Sequence, residues 1–142
     1  MGFKTNNQHG FGDAASQRVA NHPVGYWDVT IGTEAANKIL VTLQAKNLNS
    51  DNYDGVVHAI VSVYSNQTGT LETDTPIDAA DGDTVGTEVV ALTSGIVELW
   101  RSNSEGKIVL KLGDTGTDTF YLECAPLCGG AIVQTDAITF AA

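Results

Sequence analysis

The sequence predicts an all-β protein, an antiparallel sandwich preceded by an extended N-terminal arm. Three observations support this fold class. Apolar and polar residues alternate in segments from residue 38 onward, turn residues recur about every ten positions, and no segment shows the 3.6-residue period of a long helix. Because helical segments do not alternate with the strands, a parallel α/β sheet is disfavoured.

Residues 1–32 are predicted to form the arm. Their apolar residues are scattered among glycines, asparagines and a proline, without a sustained period. Asp13 can act as an N-cap, and two alanines follow it, so a helical turn or two is expected over residues 13–20. The sandwich domain is then predicted to cover residues 33–142.

The strand-forming segments are rich in β-branched residues and are separated by short runs of Gly, Asp, Asn, Ser and Thr. In residues 38–46, Ile39, Val41, Leu43 and Ala45 alternate with Leu40, Thr42, Gln44 and Lys46, so one face should be buried. The next segment has the strongest β-branched composition and is expected to be a central strand. The predicted strands are residues 38–46, 56–65, 86–93, 96–102, 107–113, 119–125 and 131–141, with 69–75 as a short additional candidate.

The charge of the chain disfavours two classes of partner. Seventeen acidic residues against seven basic ones give a formal charge of −10, which repels a phosphate backbone, so nucleic-acid binding is not expected. No apolar run approaches the roughly 20 residues that cross a bilayer. Residues 1–20 lack the basic and apolar regions of an export signal, so we expect a soluble chain with no membrane partner.

The two cysteines lie four residues apart around a predicted chain reversal. Pro126 and Gly129-Gly130 accompany Cys124 and Cys128, so the thiols could lie side by side. A disulfide between them would close a small loop and stabilise little, and both redox states remain open. A zinc site would need two more ligands, and the three histidines show no matching spacing.

Catalytic candidates are few. His58 is the only histidine in the strand-rich body, where it alternates with apolar neighbours, so it is interpreted as a structural or interface residue. Asp81-Gly82-Asp83 brings two carboxylates together, but the pattern of a full calcium loop is missing, and an ordinary exposed loop is favoured. No enzyme activity, cofactor or metal is predicted.

Two aromatic pairs are candidate interface residues. Tyr26 and Trp27 follow a Pro-Val-Gly sequence in a segment otherwise poor in apolar residues. They can pack on the chain's own sandwich, which is the favoured interpretation, or insert into a neighbouring subunit as aromatic anchors do at interfaces. Trp100 and Arg101 end a predicted strand and could lie at a core edge or on a contact surface.

The C-terminal segments also carry a resemblance to a known family. A glycine turn precedes an alternating strand, then come an Asp-x-Gly-Thr corner, an aromatic strand and a final strand. The matching pieces are Gly106, Ile108–Leu112, Asp114–Thr117, Phe120-Tyr121 and Ile138–Phe140. This stretch, about 50 of the 142 residues, resembles the C-terminal half of bacterial and phage immunoglobulin-like domains. No earlier cysteine can pair with Cys124, so an antibody-type disulfide core is excluded.

Together with the acidic charge and the polar arm, the resemblance implies an immunoglobulin-like virion protein of a tailed phage. The expected function is capsid decoration or cement, located in the virion and assembled in the host cytoplasm, on the capsid or on the tail. Its expected partners are the major capsid protein or another virion protein, and further copies of itself in a trimer or dimer. The alternative is a carbohydrate- or cell-surface-binding module of adhesin or tail-fibre type, which would use Trp27, Tyr53, Tyr64 and Trp100.

Overall fold

The computed structural model describes residues 24–78, 82–127 and 130–141. Within these ranges the chain forms nine strands and no helix, and every strand pair is antiparallel. The prediction of an all-β, antiparallel protein is confirmed. The strands are β1 (Tyr26–Ile31), β2 (Lys38–Lys46), β3 (His58–Tyr64), β4 (Thr87–Thr93), β5 (Val97–Arg101), β6 (Lys107–Gly113), β7 (Thr119–Pro126), β8 (Val133–Gln134) and β9 (Ile138–Thr139).

A three-stranded sheet has the order β1-β2-β6. The predicted alternation of β2 is confirmed, because Ile39, Val41, Leu43 and Ala45 are all buried. A tight turn joins β1 to β2, closed by reciprocal backbone hydrogen bonds between Ala35 and Lys38 of 2.8 and 3.0 Å.

The larger sheet has the order β4-β5-β3-β7-β8, and β9 also pairs with β7. β3 lies between β5 and β7, as its composition predicted. The predicted strand 131–141 is instead two short strands, which are separated at Thr135. The Thr135 hydroxyl accepts from the Leu122 N–H, and the Thr135 N–H donates to the Leu122 carbonyl. Residues 69–75 form no strand, and only an isolated bridge joins Leu71 to Tyr64.

The core is shared by the two sheets. Inward-facing side chains of β2 and β6 on one side and of β3, β5 and β7 on the other form one buried cluster, and this arrangement is consistent with a β-sandwich. The largest buried side chains of the cluster are Trp100, Phe120, Phe140, Leu43, Ile108, Leu110, Leu112, Leu122 and Ile138. Phe120 and Phe140 meet edge to face, with ring centroids 5.8 Å apart.

The structure corrects the boundary between arm and sandwich. The prediction assigned residues 1–32 to the arm, but β1 lies within them and pairs with β2 along its whole length, from Tyr26 opposite Lys46 to Ile31 opposite Val41. Apolar residues at every second position turn one side of β1 toward the core, and that pattern was obscured by the glycines and proline around it. Residues 1–23 of the predicted arm, which include the predicted helical turn at residues 13–20, lie outside the described residues.

The free edge of β6 is covered by the segment that precedes β4. Ile77 bridges to Leu112, Val85 bridges to Val109, and Asp78 N–H donates to the Lys111 carbonyl at 2.9 Å. β6 is buried from Ile108 to Leu112, including Val109 and Lys111, and Lys111 pairs with Asp83 of the covering segment.

Candidate binding surface

The outer face of the larger sheet carries a row of apolar side chains across four strands. Ile60 of β3 lies opposite Leu99 of β5 on one side and Ala125 of β7 on the other, and Leu99 in turn lies opposite Val90 of β4. Directly opposed residues share a face. Val90 is exposed, and the other three are half-buried. We call these four residues the apolar row.

Polar and aromatic residues flank the apolar row. On one side Arg101 lies between Thr87 and His58, and its side chain is exposed. Four residues beyond Ile60 along β3, Tyr64 lies opposite Tyr121, and both are half-buried. These side chains keep partial or full exposure, so the sheet presents a mixed apolar and polar surface typical of protein contacts.

The edge of the same sheet is apolar as well. Among the described residues β4 pairs only with β5, and Val89, Val90 and Leu92 are 52, 45 and 59% exposed. Its register with β5 shifts twice, between Glu88 and Val90 and between Ala91 and Thr93. We call this strand and its outward backbone groups the β4 edge. The sequence contains a signal for this apolar edge, because apolar and polar residues do not alternate regularly in β4 and the strand carries a single charged residue.

Backbone geometry fixes the start of the β4 edge. Gly86 has a φ of +87°, a conformation that favours glycine, and a Cβ at this position would lie 2.5 Å from the Arg101 carbonyl oxygen. Glycine at this point therefore lets β4 approach β5 closely.

The four predicted interface residues divide into two groups. Tyr26 and Arg101 are exposed, on β1 and on β5 respectively. Trp27 and Trp100 are only 4% and 1% exposed and belong to the core cluster. Their proposed role as contact residues is corrected: each side chain is committed to the chain's own core, which is the favoured interpretation of Trp27.

A buried carboxyl lies behind the apolar row. Glu98 is on the inner side of β5 and 2% exposed. Its Oε1 accepts from the Gly95 N–H at 2.9 Å, and its Oε2 accepts from Trp100 Nε1 at 2.8 Å. Burial raises the pKa of Glu98, the two hydrogen bonds oppose the shift, and the nearby charge of Glu88 adds to it.

No catalytic constellation is present among the described residues. His58 is half-buried beside Arg101 on the outer face. Cys124 lies in the core, where burial, with a smaller effect from Glu123, raises the pKa of its thiol to about 12, so it is no nucleophile at neutral pH. Cys128, its predicted neighbour, lies outside the described residues.

The described residues also hold no group of three or more His, Cys, Asp or Glu side chains arranged to bind a metal ion. Asp83 of the predicted acidic loop instead pairs with Lys111, with Oδ2 and Nζ 2.9 Å apart. Asp81 lies outside the described residues. Over the same ranges no helix has the length and apolarity needed to span a membrane.

The described part of the chain has shallow surface grooves. One groove, of about 560 Å³, runs past Lys38, Pro76 and Phe120. A smaller one of about 250 Å³ is bordered by Tyr53 with Asn52, Asp54 and Glu105. Both are open to solvent, and the first is also lined by Asp74 and Asp114.

Comparison with protein-family models, with curated proteins and with solved structures finds no match for this chain.

Proposed function

We propose that this chain is a structural protein of a tailed-phage virion, a capsid decoration or cement protein that binds across coat subunits. The observation that supports a binding function is the partly exposed outer face, where the apolar row lies beside exposed Arg101. A protein that prefers assembled to dispersed coat subunits stabilises the shell by mass action. Its partner in this proposal is the major capsid protein or another virion protein.

The strand order supports an immunoglobulin-like arrangement as part of the proposal. In that fold strands A, B and E belong to one sheet and C, F and G to the other. In the proposed assignment β1, β2 and β6 correspond to A, B and E, and β3, β7 and β8 to C, F and G. The β4–β5 hairpin beside β3 is an addition to that pattern. Residues 1–23 would supply the N-terminal arm.

The proposal is tested by co-sedimentation with purified tailed-phage capsids. We expect the wild-type protein to pellet with intact shells and to stay in solution with dispersed coat protein. Leu99→Lys places a charge in the apolar row and should weaken shell binding at least tenfold. Leu40→Lys is the matched control, because Leu40 is exposed on the other sheet. Equal binding by the two variants, or no binding by the wild type, would contradict the proposal.

A second candidate, glycan binding, is favoured by one specific observation. Tyr64 and Tyr121 are cross-strand neighbours on the outer face, and adjacent aromatic rings are a common platform for sugars. Two of the four residues predicted for this function, Trp27 and Trp100, are buried and cannot contribute. Binding of the isolated protein on a glycan array, lost in Tyr64→Ala, would support this candidate over capsid cement.

A further inference from the structure

We propose that the β4 edge pairs with the β4 edge of a second copy of this chain, antiparallel about a two-fold axis through Val90. The larger sheet would then run continuously through two molecules. This inference goes beyond the proposed function, because it identifies a surface by which the chain binds itself, whatever else it binds.

The first argument is the incomplete protection of the edge. Exposed edge strands are commonly guarded by lysine, proline, β-bulges or inward-pointing charge, since unpaired N–H and C=O groups otherwise recruit another strand. β4 contains no lysine and no proline, and its guards are two bulges and the single charge of Glu88. Its exposed side chains include Val89, Val90 and Leu92, whose combined exposure favours burial against an apolar partner.

The second argument is self-complementarity, which selects a second copy as the occupant. The two-fold register about Val90 pairs all seven residues of β4. It places Thr87 opposite Thr93, Glu88 opposite Leu92, and Val89 opposite Ala91. No like charges oppose each other, whereas a two-fold register about Glu88 would set two carboxylates face to face.

The third argument is charge. The chain carries a formal charge of −10, so most contacts between two copies are repulsive. Between Gly86 and Val97 the only charged residue is Glu88. The β4 edge is therefore a strip on which two copies can approach with little electrostatic cost.

The two bulges and the short strand limit the strength of this contact. Register shifts increase local twist and shorten the run of regular pairing. A seven-residue edge buries less than the roughly 800 Å² per partner of a standard interface. We therefore expect a reversible dimer whose population rises with protein concentration.

The first test measures mass by sedimentation equilibrium across a range of protein concentrations. Wild-type protein should shift from monomer toward dimer as concentration rises. Leu92→Lys should raise the dissociation constant at least tenfold, while Leu48→Lys, an equally exposed leucine in the loop after β2, should leave it unchanged. Wild-type protein that stays monomeric, or an oligomer indifferent to Leu92→Lys, would overturn the inference.

The second test reads the register by disulfide trapping. Val90→Cys faces its own copy in the proposed pairing, at a Cα separation of about 4.5–5.5 Å that a disulfide can span. Thr87→Cys would lie about 20 Å from its copy. The wild type, with Cys124 and Cys128, gives the background. Trapping of Val90→Cys alone supports the register, and equal trapping of both variants contradicts it. Neither test uses capsids, so failure here is distinct from failure of the proposed function.

Discussion

At the scale of single residues, the least expected feature is a carboxyl inside the sandwich. A buried acid without a cation is costly when ionised. Glu98 meets that cost in part by accepting from Gly95 N–H and Trp100 Nε1, and the same pair of bonds fixes the orientation of the Trp100 indole. The sequence predicted the strand but not this contact, because period-two patterning in Val97–Arg101 marks the inward side and cannot say which core neighbour satisfies a polar group.

Glu98 should make stability depend on pH. Because burial raises its pKa above the ordinary 4.5, the folded state binds the proton more tightly than the unfolded chain. Its contribution to stability is therefore complete below pH 4.5 and is lost as pH rises through the raised pKa. We expect urea unfolding to show that the free energy of unfolding of wild type, relative to that of Glu98→Gln, decreases as the pH rises through this range.

The exposed variant Glu105→Gln is the control for this experiment, and its difference from wild type should stay nearly flat with pH. A wild-type advantage over Glu98→Gln that grows with pH would contradict the assignment. At low pH the Gln variant should still be less stable by about 1–3 kcal/mol, since its amide N–H₂ faces a buried donor.

The turn between β1 and β2 contains an avoidable strain. Ala36 and Asn37 have φ values of 52° and 61°, the pattern of a type I′ turn, and asparagine tolerates this region better than alanine does. Ala36→Gly should stabilise the protein by about 0.5–1 kcal/mol in urea unfolding. Ala35→Gly, just outside the two central positions, is the control and should not stabilise. A loss of stability in Ala36→Gly would show that the turn is not strained there.

At the scale of elements, strand positions were largely predictable and strand neighbours were not. The bounds of β2 and β6 agree with the predicted segments 38–46 and 107–113. Alternation indicates which side of a strand is buried, but pairing of β2 with β6 joins residues more than sixty positions apart and depends on the whole chain. Cover by residues 76–78 and Val85 was missed for the same reason, because these residues join β6 through backbone contacts and not through a local apolar period.

The reassignment of β1 from arm to sheet gives a matched pair of substitutions. Trp27 is in the core cluster, and its Nε1 has no hydrogen-bond partner among the described residues, so its contribution is apolar packing. Trp27→Ala should cost about 3–5 kcal/mol. Tyr26→Ala, next to it but 41% exposed, should cost less than about 1 kcal/mol. The free energy of unfolding is measured by urea denaturation followed by circular dichroism. Similar small losses of stability in both variants would contradict the placement of β1 in the sheet.

At the scale of the whole molecule, the candidate surface combines information that no single segment contains. The apolar row joins β3, β4, β5 and β7, so its members are spread over residues 60–125 and meet only through sheet pairing. The sequence singled out Arg101 beside this row but also Trp100, whose side chain points the other way because neighbours along a strand alternate in direction. The net charge, by contrast, is a property of the whole chain and follows directly from the amino-acid composition.

The acidic composition should make stability sensitive to salt. A formal charge of −10 produces self-repulsion in the compact state, and salt screens charges separated by more than about 10 Å at 0.1 M. Raising sodium chloride from about 20 mM to about 500 mM should therefore raise the Tm by about 2–5 °C. Glu105→Lys reduces the negative charge by two at an exposed position, so its Tm should be higher than that of wild type at low salt and should respond less to added salt. If both proteins lost thermal stability on adding salt, close ion pairs such as Lys38–Asp78, with Nζ and Oδ2 3.1 Å apart, would outweigh the repulsion.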